Sequence, residues 1–493
     1  MSIFCSISRI WRQLSRPILL LLALILVSIP IHAASELPDL GQDAATIISP
    51  YEERRIGEDA MAQIRRWLNF VDDPELTHYI NKIGKRLTNQ LLDEQRDFRF
   101  FLIDHQAINA FALPGGFIGI HTGLITSAAS ESELASVLAH EIVHVTQRHW
   151  PRMMAAQKKR SGLTMAAILA SLVLAGTGDI NAGGIAVAAL AADIDSRLAF
   201  TRSFEREADR IGIRLLAEAK LDTKAMAIFF ERLAATNRYN GSDSPEFMRT
   251  HPVTNNRIAE ARNNATRFPE HEGLSSSDFY HFRARIRAYY QADPRQSLAI
   301  FSAKLKQKNI AVAERRATQY GIALVHLRLG NFGPAGKTID RLRGQKPGEL
   351  RYQLAQADIA LAAGRQKPGM RLYQQIYNRN RTDYWVTRRY AENLLAHQQQ
   401  QHALSVLRPA LKKNPRDAVL NKLMAKAAGE TGDLVQAHRA MAEYYIINGN
   451  IHEAINQLGI AEKKAQNDYY ALTAIRARIS EIKASDTKKT ANQ

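Results

Sequence analysis

The chain has 493 residues, a formal net charge of +18 from 66 Lys and Arg against 48 Asp and Glu, and a single cysteine, Cys5. One cysteine excludes a disulfide framework, so packing alone must hold the fold. The basic balance suits anionic headgroups, lipopolysaccharide or acidic partners, or a merely solvated surface, while the lack of any zinc-finger, RRM or basic-helix pattern argues against nucleic acid.

At the N-terminus, Arg9, Arg12 and Arg16 precede an apolar run from Ile18 to Ile29, and Ile31-His32-Ala33 sets a small residue at a cleavage position. This is the pattern of a secretory signal (1–33) removed after Ala33, the alternative being an uncleaved anchor, although the run is short for a span. Cleavage takes away Cys5 and three basic residues, leaving about +15 in a compartment where little nucleic acid is met.

Phe98 to Ile103 has strand character, and Asn109-Ala110-Phe111-Ala112-Leu113 and Phe117 to Ile120 read as two short strands around the turn Pro114-Gly115-Gly116. Zinc peptidases hold an extended substrate against an edge strand, so Asn109, Ala110, Phe111, Ala112 and Leu113 are the substrate-binding candidates, with a plain structural hairpin as the competitor. Leu134, Val137 and Leu138 then carry helical periodicity into His140-Glu141-Ile142-Val143-His144. On a helix, imidazoles four apart share a face and can grip one zinc ion, with Glu141 placed to act on a zinc-bound water. His149, nine residues after His140, falls about 900° around a continuous helix and is expected on the opposite side, as a packing or surface residue.

Two short apolar stretches follow, Leu163 to Ala175 and Ile185 to Ala192, separated by glycines. Each is too short to cross a bilayer and reads either as a hairpin touching membrane or a partner, or as buried helices. Ser203 to Arg210 is a second helix on which Glu205 and Asp209 share a face while Glu207 points elsewhere. A catalytic zinc takes three protein ligands and leaves one position open, so Glu205 completes the set with His140 and His144. Asp209, one turn on, either hydrogen-bonds a ligating imidazole or helps protonate the leaving amine. His251-Pro252 reads as a turn before a helix.

The stretch 263–277 reads as a loop or linker closing the first domain, and everything beyond it as helical. Gly330, Gly364, Gln398 and Gly432 recur every 34 residues, and Ala335, Gly369, Ala403 and Ala437 follow each by five, which is tetratricopeptide phasing. Gly449 and Ala454 add a half-repeat, and Pro347 and Pro415 stand where repeats end. Such stacks offer a groove for peptides or partner domains.

Taken together, His140-Glu-x-x-His144, Glu205-x-x-x-Asp209, Thr250-His251-Pro252 and Arg257-Ile258 resemble the HtpX-type and Ste-type zinc metallopeptidases. The resemblance implies a mainly α protein, with a gluzincin-type metalloprotease domain (34–270) containing a small β-sheet, an α-solenoid of tetratricopeptide-like repeats (271–485) and a disordered tail (486–493). It further implies one zinc per chain and a His at the position of His251 that reaches the zinc and plugs the site. Exported relatives with repeats imply a periplasmic endopeptidase and chaperone that promotes maturation of outer-membrane barrels, including the lipopolysaccharide-transport barrel, at the barrel-assembly machinery and degrades stalled ones. The alternative is mainly a chaperone or assembly adaptor with a self-inhibited metal site.

Overall fold

The computed structural model describes residues 48–91, 96–156, 202–239, 245–271 and 275–491, all within one unit spanning Asp43–Gln493. The expected signal and the apolar stretches at 163–192 lie outside the described residues. No described helix is long and apolar enough to cross a membrane.

Helix α1 (Pro50–Ile64) starts on a reciprocal cap between Ser49 and Glu52, and α2 (Pro74–Thr88) on Asp73, whose carboxylate accepts from the Glu75 and Leu76 amides. Three strands follow, β1 (Arg99–Ile103), β2 (Ala110–Leu113) and β3 (Phe117–His121), in the order β1-β3-β2. β1 runs parallel to β3 and β2 antiparallel, so among the described residues β2 is a sheet edge with β3 as its partner. The β2–β3 turn needs glycine: Gly115 and Gly116 have φ of +78° and +87°, and a Cβ on Gly116 would lie 2.4 Å from the Asp97 carbonyl oxygen.

After α3 (Thr122–Ser127) comes α4 (Glu131–Thr146), capped by Ser130 and buried along its length from Glu131 to Val145. A helix buried all round must carry its polar groups for a reason other than solvation. It packs against β2, α6 (Arg202–Glu218) and α7 (Ala225–Tyr239), with α5 (His149–Ala156) following it directly in the chain. The short α8 (Glu246–Thr250) and α9 (Asn255–Ala265), capped by Thr254, complete the N-terminal part.

Helices α10 (Ser277–Tyr289) and α11 (Pro294–Leu305) lead into α12 (Val312–Arg328) and α13 (Phe332–Gln345), α14 (Leu350–Ala362) and α15 (Gln366–Arg379), α16 (Tyr384–Ala396) and α17 (Gln400–Lys413), and α18 (Ala418–Glu430) and α19 (Leu434–Ile447). The residues of the 34-residue period close each pair: Gly330, Gly364, Gln398 and Gly432 all have positive φ, as does Gly449 before α20 (Ile451–Lys464). Five residues on, the helices touch, and a Cβ on Gly369 would meet the Leu361 side chain at 2.6 Å. The last helix, α21 (Tyr469–Ala491), runs through most of the stretch expected to be a disordered tail.

The repeats also meet the N-terminal part. At the start of α2, Asp73 binds Arg285 at 2.7 Å, and Glu75 is reached by Arg285 at 3.1 Å, by Arg351 at 3.5 Å and by the Tyr320 hydroxyl at 3.1 Å. Farther along, Arg65 donates to Asn448 at 2.7 Å.

Candidate metal centre

Helix α4 offers His140 and His144 one turn apart, α6 offers Glu205, and the turn after α8 delivers His251. None of the four is more than 2% exposed. His140 Nε2 lies 3.0 Å from His144 Nε2 and 3.3 Å from His251 Nδ1. The Glu205 carboxylate lies 3.5 Å from each of the first two and 3.1 Å from the third. A tetrahedral ion with bonds of about 2.0–2.1 Å spaces its ligand atoms by roughly 3.3 Å. The four donor atoms, all within 4.8 Å of one another, therefore fit a metal ion.

A second layer holds these groups. Asp209 Oδ1 sits 3.0 Å from His140 Nδ1, and Arg257 donates to both Asp209 oxygens at 2.8 Å while also reaching Glu205 at 2.8 Å and the Pro252 carbonyl at 2.9 Å. Burial opposes charge on His140, yet Asp209 and Glu205 together outweigh it and raise its pKa to about 9. Burial and the charge on His140 hold His144 well below the usual range, and it stays neutral. Against its own burial, Glu205 is kept ionised by His251 and His140.

Glu141 points the other way from this layer. Both its oxygens are buried without a hydrogen-bond partner, and Oε1 is 3.5 Å from His251 Nε2. Burial pushes its pKa up, opposed in part by His251, His140 and the backbone of Ala112 on β2. The edge strand thus runs beside the carboxylate that the motif places next to the metal.

One expectation needs correction. His149 is not on the far side of the helix: its Nδ1 lies 2.8 Å from His144 Nδ1 and its ring is fully buried. The count of 100° per residue fails because α4 ends before it, with Arg148 at φ +51° breaking the helix and turning α5 back. Glu207, as expected, faces away from Glu205, but it accepts from His149 at 3.2 Å and from Arg152 at 2.9 Å. The contact with His149 draws its pKa down to about 2. As for Asp209, both oxygens accept from Arg257 and Oδ1 also meets His140 Nδ1, the placement of a group that orients a ligating imidazole. Arg257 had no assigned role in the sequence, and only its place six residues after His251 hinted at one.

The profile of "Peptidase family M48" matches residues 74–265. The chain is 33% identical over 451 residues, 92% of each chain, to the beta-barrel assembly-enhancing protease of Escherichia coli strain K12. It is 34% identical over 448 residues, covering 91% of this chain and 92% of the relative, to a putative beta-barrel assembly-enhancing protease of Vibrio cholerae. Human mitochondrial metalloendopeptidase OMA1 is 30% identical over 165 residues, 32% of this chain and 30% of the relative.

Proposed function

Because the chain belongs to the beta-barrel assembly-enhancing protease family and carries a metallopeptidase domain of family M48, we propose that it is a periplasmic zinc endopeptidase acting in the assembly and quality control of outer-membrane barrel proteins. The observation that carries the catalytic part is the buried cluster of His140, His144 and Glu205 with Glu141 beside it. Two imidazoles and one carboxylate suit zinc, His144 being already neutral and His140 giving up its proton on binding. When bound, zinc supplies the Lewis acidity that makes water nucleophilic near neutral pH and polarises a peptide carbonyl.

The chain's own residues do the rest. Glu141 takes the proton of the attacking water and passes it to the leaving nitrogen, a task helped by a pKa above the ordinary carboxylate range. His140 is held in its ligating tautomer by Asp209, and His144 by His149. Strand β2 (Ala110–Leu113), with Asn109 just before it, pairs with the extended substrate. The repeats recruit barrel proteins or dock the enzyme on the barrel-assembly machinery, with a basic surface that suits peripheral contact with anionic lipid.

A second reading has its own observation. His251 stands within 3.3 Å of His140 and 3.2 Å of Glu205, where the water would sit. With His251 as fourth ligand the site is closed, and the protein works chiefly as a chaperone until α8 moves. Zinc content and casein cleavage by the chain lacking its signal, beside Glu141→Gln and His251→Ala, separate the readings. Cleavage that Glu141→Gln lowers by about a hundredfold or more with zinc retained supports the peptidase. Cleavage seen only with His251→Ala supports the plug, and zinc without cleavage in any form favours the chaperone.

A further inference from the structure

A second group of ligand-type side chains lies outside this centre. His105 in the β1–β2 loop, His121 at the end of β3 and Glu246 at the start of α8 place one donor atom each within 4.8 Å of one another. The backbone assembles them: the His121 amide donates to the Asn109 carbonyl at 3.0 Å, the Gly123 amide to the His105 carbonyl at 2.9 Å, and the Phe247 amide to the Ile108 carbonyl at 3.1 Å. A Cβ on Gly123 would lie 2.0 Å from the Gln106 carbonyl oxygen, so only glycine lets the loop approach this closely.

The groups brought together are costly to bury as they stand. His121 is fully buried and neither ring nitrogen has a hydrogen-bond partner. Glu246 is 6% exposed, and one of its oxygens lacks a partner while the other accepts from Asn109 at 2.6 Å. A buried carboxyl and a buried imidazole with nothing to bind each forfeit solvation. Burial, and next the charge of His105, lowers the His121 pKa to about 3, which keeps the ring in the neutral form that ligates metals. Burial also raises Glu246 to about 8, with Arg249 and the Asn109 hydrogen bond offsetting only part of that push. One divalent cation would answer both deficits. The Ala107 amide, 3.2 Å from His105 Nδ1, fixes the third ring, which stands 4.9 Å from that of His121.

We propose that His105, His121 and Glu246 form a second divalent-cation site, of the two-imidazole, one-carboxylate type that takes zinc, with Asn109 orienting the carboxylate. The site has a structural task. It ties the first residue of α8 to the sheet, and α8 ends at His251, so the cation steadies the element that carries the closing imidazole. Among the described residues, the other ties of α8 to the β1–β2 loop are the Phe247–Ile108 backbone hydrogen bond and the Asn109 contact, while the Phe247 ring packs on Phe229.

Stoichiometry tests this. Metal-stripped protein is loaded with zinc(II), freed of excess, and its zinc counted by mass spectrometry, for the parent, Glu246→Gln, His105→Ala and His144→Ala, with far-UV circular dichroism to verify folding. Two zinc ions in the parent, falling to one in Glu246→Gln and in the half-buried, fold-sparing His105→Ala, are expected. A single zinc lost only in these two variants also supports the site and points instead against the catalytic centre. The site is refuted if the count is unchanged in both variants, the loss then appearing, if anywhere, only in His144→Ala; His121 and Glu246 would then be a dry imidazole–carboxyl pair.

Discussion

His140 and His144 were legible because helical spacing alone decides that they share a face, and Glu205 because zinc chemistry demands a third ligand. His149 and Arg257 were not, since each depends on where a helix stops. Arg257 neutralises two buried carboxylates at once. Arg257→Ala should therefore cost about 3–5 kcal/mol, as when one partner of a buried ion pair is removed. Denaturant melts of the metal-free protein would read this, and a loss within 0.5 kcal/mol or so would mean that the carboxylates find other partners. His149→Phe keeps the ring packed on Phe204 but removes the contact with His144. Zinc affinity should fall about 10- to 100-fold, as for other groups that orient a metal ligand. Competition with a chromophoric chelator would measure it, and an unchanged affinity would reduce His149 to packing.

At the scale of elements, strands and helices followed the sequence closely wherever a local signal existed. The Pro-Gly-Gly turn announced β2 and β3, and the period of 34 announced the helix pairs, whose turns adopt positive φ even where Gln398 replaces glycine. The order β1-β3-β2 had no such signal, because it depends on which strands meet across the chain. One helix contact carries a pH dependence. On α10, His281 donates from Nδ1 to the Ser277 carbonyl at 2.7 Å and accepts at Nε2 from Tyr352 on α14 at 2.8 Å. Burial, and next Arg351, depresses its pKa to about 3. The unfolded chain takes up this proton below about pH 6.5, while the folded chain refuses it until about pH 3, so stability present above pH 6.5 drains away on acidification. Between pH 7.5 and 5.0 the parent should lose about 2 kcal/mol more than His281→Gln. Urea melts at the two pH values check the difference, and parallel losses would sink the assignment.

The whole molecule was the least legible scale. Composition and repeats suggested two parts in series, but nothing in the sequence tells that Asp73 and Glu75 on α2 are clamped by Arg285 and Arg351 from the helices beyond. This buried contact should make the parts unfold together. Arg285→Ala, which strands Asp73 and leaves Glu75 to Arg351 and Tyr320, should lower stability by about 3–5 kcal/mol. It should also let limited proteolysis separate an intact repeat fragment, and a single cooperative melt with no such fragment would count against coupling by this clamp. The shortness of β2 reaches further than its position in the sheet. A four-residue edge contacts the main chain of whatever lies along it and reads few side chains. On the proposed pairing of substrate with β2, discrimination by residue type would be weak and the enzyme would discriminate by time, since a chain that folds promptly withdraws its backbone into its own sheet and one that lingers keeps offering it.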